Sequence, residues 1–334
     1  MKILAIDIET YSSVDLGKSG VYAYTEAEDF EILIIGYAYD DEEVQVVDLA
    51  SGEKVPADVV EAITNPKVIK TAFNAQFERT CLSKYFKEEM PPEQWRCSMA
   101  HALTLGLPTS LAGVARCLNL KQQKMSEGKA LIRYFSIPCK PTKANGGRTR
   151  NLPHHDREKW ETFKAYCKQD VEVERSIRKR LENYPMTDKE LKLWFSDQRI
   201  NDGGVRVNKE LVENAIHCDE IYQKELLDEA IDLTELENPN SPAQLKTWLK
   251  DKYDIKVDSL SKEKVSELLD EAQNPTVRRV LELRQDMSKT SVKKYEAMER
   301  AMCKDERIRG LLQFYGANRT GRWAGRLVQV HNLP

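Results

Sequence analysis

The chain has 334 residues, a formal charge of −3, 31% charged residues and 41% hydrophobic ones. That length exceeds what one core usually organises, so two domains are expected, and the composition excludes a disordered, fibrous or wholly polycationic protein. No apolar run approaches the roughly 18 residues of a membrane span and the first residues enter a strand directly, so neither membrane insertion nor secretion is expected. The seven cysteines are scattered, with no C-x-x-C or Cys/His spacing, which fits buried thiols in a reducing cytoplasm rather than disulfides or zinc.

The first element is an apolar, β-branched strand, Lys2 to Thr10, interrupted by Asp7 and Glu9. Residues i and i+2 of a strand leave the same face, so the two carboxylates point one way and together suit a hard divalent cation such as Mg²⁺ or Mn²⁺; a solvated strand end is the alternative. Phe30 to Tyr39 and Glu43 to Leu49 read as two further strands of a hairpin, Ala57 to Thr64 as a helix and Val68 to Phe73 as a fourth strand. Helices are expected at 75–86, 110–118, 129–135 and 156–181, so strands followed by alternation with helices imply a mixed sheet covered by helices. Residues 138–153 form a basic, irregular loop carrying Lys140, Lys143, Arg148 and Arg150 among prolines and glycines.

Pro185 stops the preceding helix and Thr187 can cap the next, which puts the expected domain junction at Tyr184 to Asp188. Beyond it the pattern is helical and highly charged, with a long helix expected over 276–302. From Arg278 onward there are 13 Lys or Arg against 6 acids, an asymmetry that suggests contact with a polyanion.

Three further residues are candidates for chemistry. Glu78 follows the fourth strand and falls in the first turn of a helix, where an acid also suits the helix dipole. Tyr166 and Asp170 are four apart in a strong helical segment and share a face. In the order Asp7-Ile8-Glu9, Asn74-Ala75-Gln76-Phe77-Glu78, Tyr166-Cys167-Lys168-Gln169-Asp170, the chain resembles the DnaQ-like 3′-to-5′ exonucleases of the tyrosine-containing DEDD type. The resemblance covers residues 1–183 and departs from the family pattern at Glu78, where Asp is usual; glutamate keeps the charge and adds one methylene. It implies two divalent ions, Mg²⁺ or Mn²⁺, about 4 Å apart, on Asp7, Glu9 and Asp170 with Glu78 assisting, while Tyr166 orients the attacking water. Phe77, Tyr134 and Phe135 are candidates for stacking on a terminal base, with core packing as the alternative, and His154 and His155 for a substrate role.

The C-terminal half adds a second resemblance. Thr320-Gly321-Arg322-Trp323-Ala324-Gly325-Arg326, running to Asn332-Leu333-Pro334, is similar to the start of the palm of family A DNA polymerases. Leu281 to Arg284, Ser288 to Tyr295 and Asn201 to Val205 resemble their thumb. Exonuclease followed by thumb is the phage-type arrangement. It implies an α/β, ribonuclease H-like mixed five-stranded sheet with flanking helices over 1–184. A mainly α-helical thumb-like region over 185–334 would follow, ending in a short β hairpin. The implied partner is DNA, both single-stranded 3′ ends and primer-template duplex. Asn74, Lys289, Lys293, Lys294, Arg319, Thr320, Arg322 and Arg326 are the expected DNA contacts, the cations binding phosphates without reading sequence. The polymerase aspartates and fingers are not in the sequence, so templated synthesis is not expected of the chain alone. Two alternatives stand: the DNA-gripping half of a split polymerase completed by a separate palm and fingers chain, and a nuclease resembling ribonuclease D.

Overall fold

The structure is a computed structural model and describes residues 2–289, 292–317 and 320–332. The first stretch holds β1 (Ile3–Tyr11), α1 (Leu16–Thr25), β2 (Glu31–Tyr39), β3 (Gln45–Asp48), α2 (Ala57–Thr64), β4 (Ile69–Ala72), α3 (Ala75–Phe86) and β5 (Trp95–Cys97). Then come α4 (Ser98–Thr104), α5 (Leu111–Cys117), α6 (Gly128–Phe135) and α7 (Arg157–Leu181). The strands form one sheet in the order β3-β2-β1-β4-β5, with β1 antiparallel to β2 and parallel to β4. This is the mixed five-stranded α/β sheet expected from the sequence.

β1 is apolar almost throughout because both of its faces are covered. Leu4, Ile6 and Ile8 pack with Val59, Ile63 and Leu82 from α2 and α3. On the other face Ala5 meets Val171, and Tyr11 joins Phe163 and Tyr166, so alternation along the strand puts Asp7 and Glu9 under α7. The helix comes close because β2 offers Gly36 opposite Asp7. A Cβ there would stand 3.0 Å from the Cys167 sulfur and 3.3 Å from the Cys167 carbonyl oxygen.

The chain packs as two compact units, one made of 1–206 with 300–334 and the other of Val207–Glu299. The helix break at Tyr184 and the capping box of Thr187 with Glu190 are present, yet α8 (Asp188–Gly203) stays with the sheet unit. β6 (Val205–Arg206) pairs with β7 (Arg307–Ile308), and β8 (Leu312–Ala317) pairs with β9 (Arg322–Gly325) as the terminal hairpin. Asn201 ties α8 to that hairpin by accepting from Leu312 N at 2.9 Å and donating to Leu312 O at 3.0 Å. Trp323 Nε1 donates to the buried Asp197 at 2.6 Å.

Burial pushes the Asp197 carboxyl up to about 6 despite donors from Trp323, Gln198 and Asn201. An acid raised in the folded state holds its proton more tightly than in the unfolded chain, so its contribution to stability falls as pH rises towards 6 and stays low above it. Trp323→Phe removes a donor to the ionised form. Its expected cost is about 1–3 kcal/mol, larger at pH 8 than at pH 5, checked by thermal unfolding at both values.

The second unit contains α9 (Lys209–Thr234), α10 (Pro242–Tyr253), α11 (Lys262–Glu271) and α12 (Pro275–Met287). Its core joins Leu245, Trp248 and Leu249 to Val265, Leu268 and Val277. Arg279 grips Glu229 through two bonds of 2.7 and 2.8 Å, fastening α12 to α9. The single helix expected over 276–302 is instead α12 and α13 (Lys293–Ala301). Ser288 returns its hydroxyl to the Gln285 carbonyl at 2.7 Å, and after Lys289 come Thr290, Ser291 and Val292, poor helix formers, of which 290 and 291 lie outside the described residues.

Candidate active site

Asp7, Glu9, Glu78, Tyr166 and Asp170 line one cavity of about 570 Å³ over the end of β1. The pairing of β1 with β2 shifts register between Glu9 and Thr10, a bulge that ends the regular ladder beside the second acid. Ligand atoms of Asp7, Glu9 and Cys167 lie within 4.8 Å of one another, a spacing that could hold a metal ion. Glu78 arrives from the first turn of α3 and is 5% exposed. Asn74, at the start of that helix, makes no capping bond with its side chain, is exposed and faces the same cavity.

The electrostatics are those of buried acids crowded together, whose charges a cation would offset. Burial, then the charge of Asp170, holds Asp7 well above the ordinary carboxylate range. Burial, then Asp7, does the same to Glu9 and to Glu78. Asp170 is also raised by burial, with Lys124 working against it. Glu78 Oε2 and Asp170 Oδ1 are buried and have no hydrogen-bond partner among the described residues, an arrangement that normally costs free energy and that a bound cation would relieve. The donor set is mainly hard oxygen and so fits Mg²⁺ or Mn²⁺. Burial raises the Cys167 thiol far above its usual range, so it stands there as a neutral group, its sulfur 3.7 Å from the Asp7 carbonyl oxygen. Tyr166 is likewise raised, by burial and then by Asp170, Glu9 and Asp7, and keeps its O–H.

Several neighbours were not evident in the sequence. Lys124 sits in the irregular stretch before α6, forms an ion pair with Asp170 and lies 4.6 Å over the Tyr166 ring. Gly128 opens α6 against that ring; a Cβ on it would fall 2.0 Å from Tyr166 Cε2. Arg79, the residue after Glu78, grips Asp202 with bonds of 2.6 and 2.9 Å, and Tyr22 donates to the same carboxylate at 2.6 Å. Glu174, one turn beyond Asp170, is buried and accepts from Ser98 at 2.5 Å.

Other candidates are placed differently. Of the three aromatics, Phe77 lines the cavity, whereas Phe135 is core and Tyr134 packs edge-on against it at 4.8 Å. His154 and His155 lie in a short turn before α7, where His155 Nδ1 accepts from Leu152 N at 2.8 Å, and neither lines the cavity. In the terminal hairpin Arg322 and Arg326 are exposed, and Thr320 accepts from Arg322 Nε at 3.2 Å. Arg319 lies outside the described residues. Lys289 follows α12 and pairs with Asp286 at 2.7 Å, while Lys293 and Lys294 open α13; all three belong to the second unit.

No family model matches the chain. The POL domain of Pol1 from M. smegmatis, solved with DNA primer-template and dNTP, aligns with 100% of this chain and 52% of its own, at a TM-score of 0.56 and 13% identity, and so shares its fold. NrnC of Brucella melitensis, solved with bound Mg²⁺, aligns with 59% of this chain and 81% of its own at a TM-score of 0.36 and 14% identity. A DNA polymerase of Bacillus phage SP02 is 62% identical over all 334 residues, and the chain spans 51% of that protein's length. Among the described residues no helix is long and apolar enough to cross a membrane. The resemblance to DNA polymerases is thus borne out, and an identity of 62% from end to end makes this chain a homologue of about half of a phage DNA polymerase.

Proposed function

We propose that residues 1–184 act as a metal-dependent 3′-to-5′ exonuclease that removes nucleotides from DNA 3′ ends, in proofreading. Residues 185–334 would supply thumb helices and the beginning of a family A palm. The observation that carries this reading is the convergence of four acids and the Tyr166 hydroxyl on one cavity, with two buried carboxylate oxygens unpartnered. Asp7, Glu9 and Asp170, assisted by Glu78, would hold two divalent ions, Mg²⁺ or Mn²⁺. Such ions supply charge stabilisation and an activated water for hydrolysis of a phosphodiester. Tyr166, kept protonated by its surroundings, holds that water by hydrogen bonding rather than by removing its proton. Asn74 and Phe77 bound the space for the terminal nucleotide. The exposed Arg322 and Arg326, with Lys289, Lys293 and Lys294, would meet duplex phosphates. The setting is the cytoplasm of a bacterial or phage-infected cell.

The direct test is digestion of a 5′-labelled single-stranded oligodeoxynucleotide, with a matched RNA strand alongside. A ladder shortening from the 3′ end that requires metal and Asp7 is the expected result. Preference for the RNA strand would instead favour a nuclease of the ribonuclease D kind. The chain spans about half the length of its phage relative, and a second reading is a DNA-gripping segment without nuclease turnover. Primed-duplex binding without digestion would move the assignment there. Gly128→Ala gives a finer check: the added methyl must displace the Tyr166 ring or α6, so turnover is expected to fall at least about tenfold. Circular dichroism should show the fold retained.

A further inference from the structure

The basic loop at 138–153 has no part in the chemistry above, yet it begins at the mouth of the acidic cavity. Ser136, Ile137 and Pro138 line that cavity, and Ile137 is 49% exposed. From Ile137 to Pro153 the sequence holds four Lys or Arg and no Asp or Glu. The loop is also tightly knit. Cys139 N donates to Thr149 O at 2.7 Å and closes its neck. The Asn145 side chain accepts from Thr142 N at 2.8 Å and donates to Lys140 O at 2.9 Å. Gly146 and Gly147 adopt φ of 68° and 76°, which a side chain would strain.

The four cations divide by role. Arg148 is spent on Asn151 at 2.8 Å, and Arg150 on Glu31 at 2.5 Å and the face of Tyr11 at 3.7 Å. Lys140 and Lys143 are exposed and form no ion pair among the described residues. A cavity lined by four carboxylates repels a polyanion, so a strand that feeds its end there needs favourable charge just outside the mouth.

We infer that this loop is a preorganised phosphate rail, on which Lys140 and Lys143 hold the backbone of single-stranded DNA a few nucleotides from the end lodged in the cavity. The inference rests on the exonuclease reading for its substrate but is tested by binding alone. The variant Lys140→Ala/Lys143→Ala and a control, Lys54→Ala/Lys67→Ala, with exposed lysines elsewhere on the same unit, are compared with the unaltered chain. The probe is a labelled ten-nucleotide oligothymidylate in EDTA, titrated at several salt concentrations. Loss of two phosphate contacts should weaken binding about tenfold at low salt and flatten the plot of log K against log salt by about 1.4. The control should leave both unchanged. Unaltered affinity and slope in the loop variant, or an equal change in the control, would overturn the inference. Hydrolysis of the p-nitrophenyl ester of thymidine 5′-monophosphate, too small to reach the loop, separately reports the nuclease. If the loop variant binds poorly but hydrolyses that ester like the unaltered chain, the rail and the nuclease both stand.

Discussion

Asp7→Asn is expected to raise the melting temperature of the metal-free protein while abolishing metal-dependent digestion. Asp7 is surrounded by Glu9, Glu78 and Asp170 around one cavity, and both burial and its neighbours oppose its charge. Without a cation, the folded state carries like charges that the unfolded chain leaves in water. The amide is nearly isosteric and removes one of them, a relief of about 1–2 kcal/mol, or a few degrees. The same change removes a proposed ligand, so saturating Mn²⁺ should lift the melting temperature of the unaltered chain and barely move that of the variant. Turnover should fall by about three orders of magnitude or more. Differential scanning fluorimetry in EDTA and in Mn²⁺, run beside the digestion assay, reads all three. A variant less stable than the unaltered chain in EDTA would show that Asp7 has a structural role outweighing the repulsion.

That opposition between stability and chemistry also explains what was legible in the sequence. β1 was readable because an otherwise apolar strand carried two acids at a spacing of two, a pattern that core packing does not favour. α3 and α7 were readable by their helical period, and their order gave the three motifs. β5 has only Trp95, Arg96 and Cys97, too short for a period, and α4 follows it without a turn signal. α1 was hidden by Gly17 and Gly20, the latter at φ 78°, and is opened by Asp15, whose side chain accepts from Gly17 N and Lys18 N. Lys124 has no periodic context, and only the approach of two remote segments brings it to Asp170. Gly128 reads as an ordinary loop glycine until the Tyr166 ring stands against it. The helix break at Pro185 was legible, but the two compact units divide after Arg206 and again before Arg300. What the sequence could not convey was that α8 folds back on the sheet unit through Asn201 and Asp197, because those are single side chains meeting backbone and indole far along the chain.

Lys124→Met is expected to have the opposite signature to Asp7→Asn. The ammonium of Lys124 is the paired cation of Asp170, and its charge also moderates Asp7 and Glu9. Removing it leaves a largely buried acid among like charges, so the metal-free protein should lose about 1–3 kcal/mol, less than for a fully buried pair because the Lys124 side chain is 27% exposed. A metal ion on Asp170, however, must share or displace that ammonium. Without Lys124 the carboxylates are freer to bind, and the half-saturating Mn²⁺ concentration should drop about tenfold, with a larger metal-induced rise in melting temperature. Lys124→Arg keeps the charge and should fall between the two, which separates charge from packing. Fluorimetry across a Mn²⁺ titration measures both quantities on one sample. Weaker metal binding in Lys124→Met would reverse the assignment: the lysine would then be holding Asp170 in its coordinating position instead of competing for it.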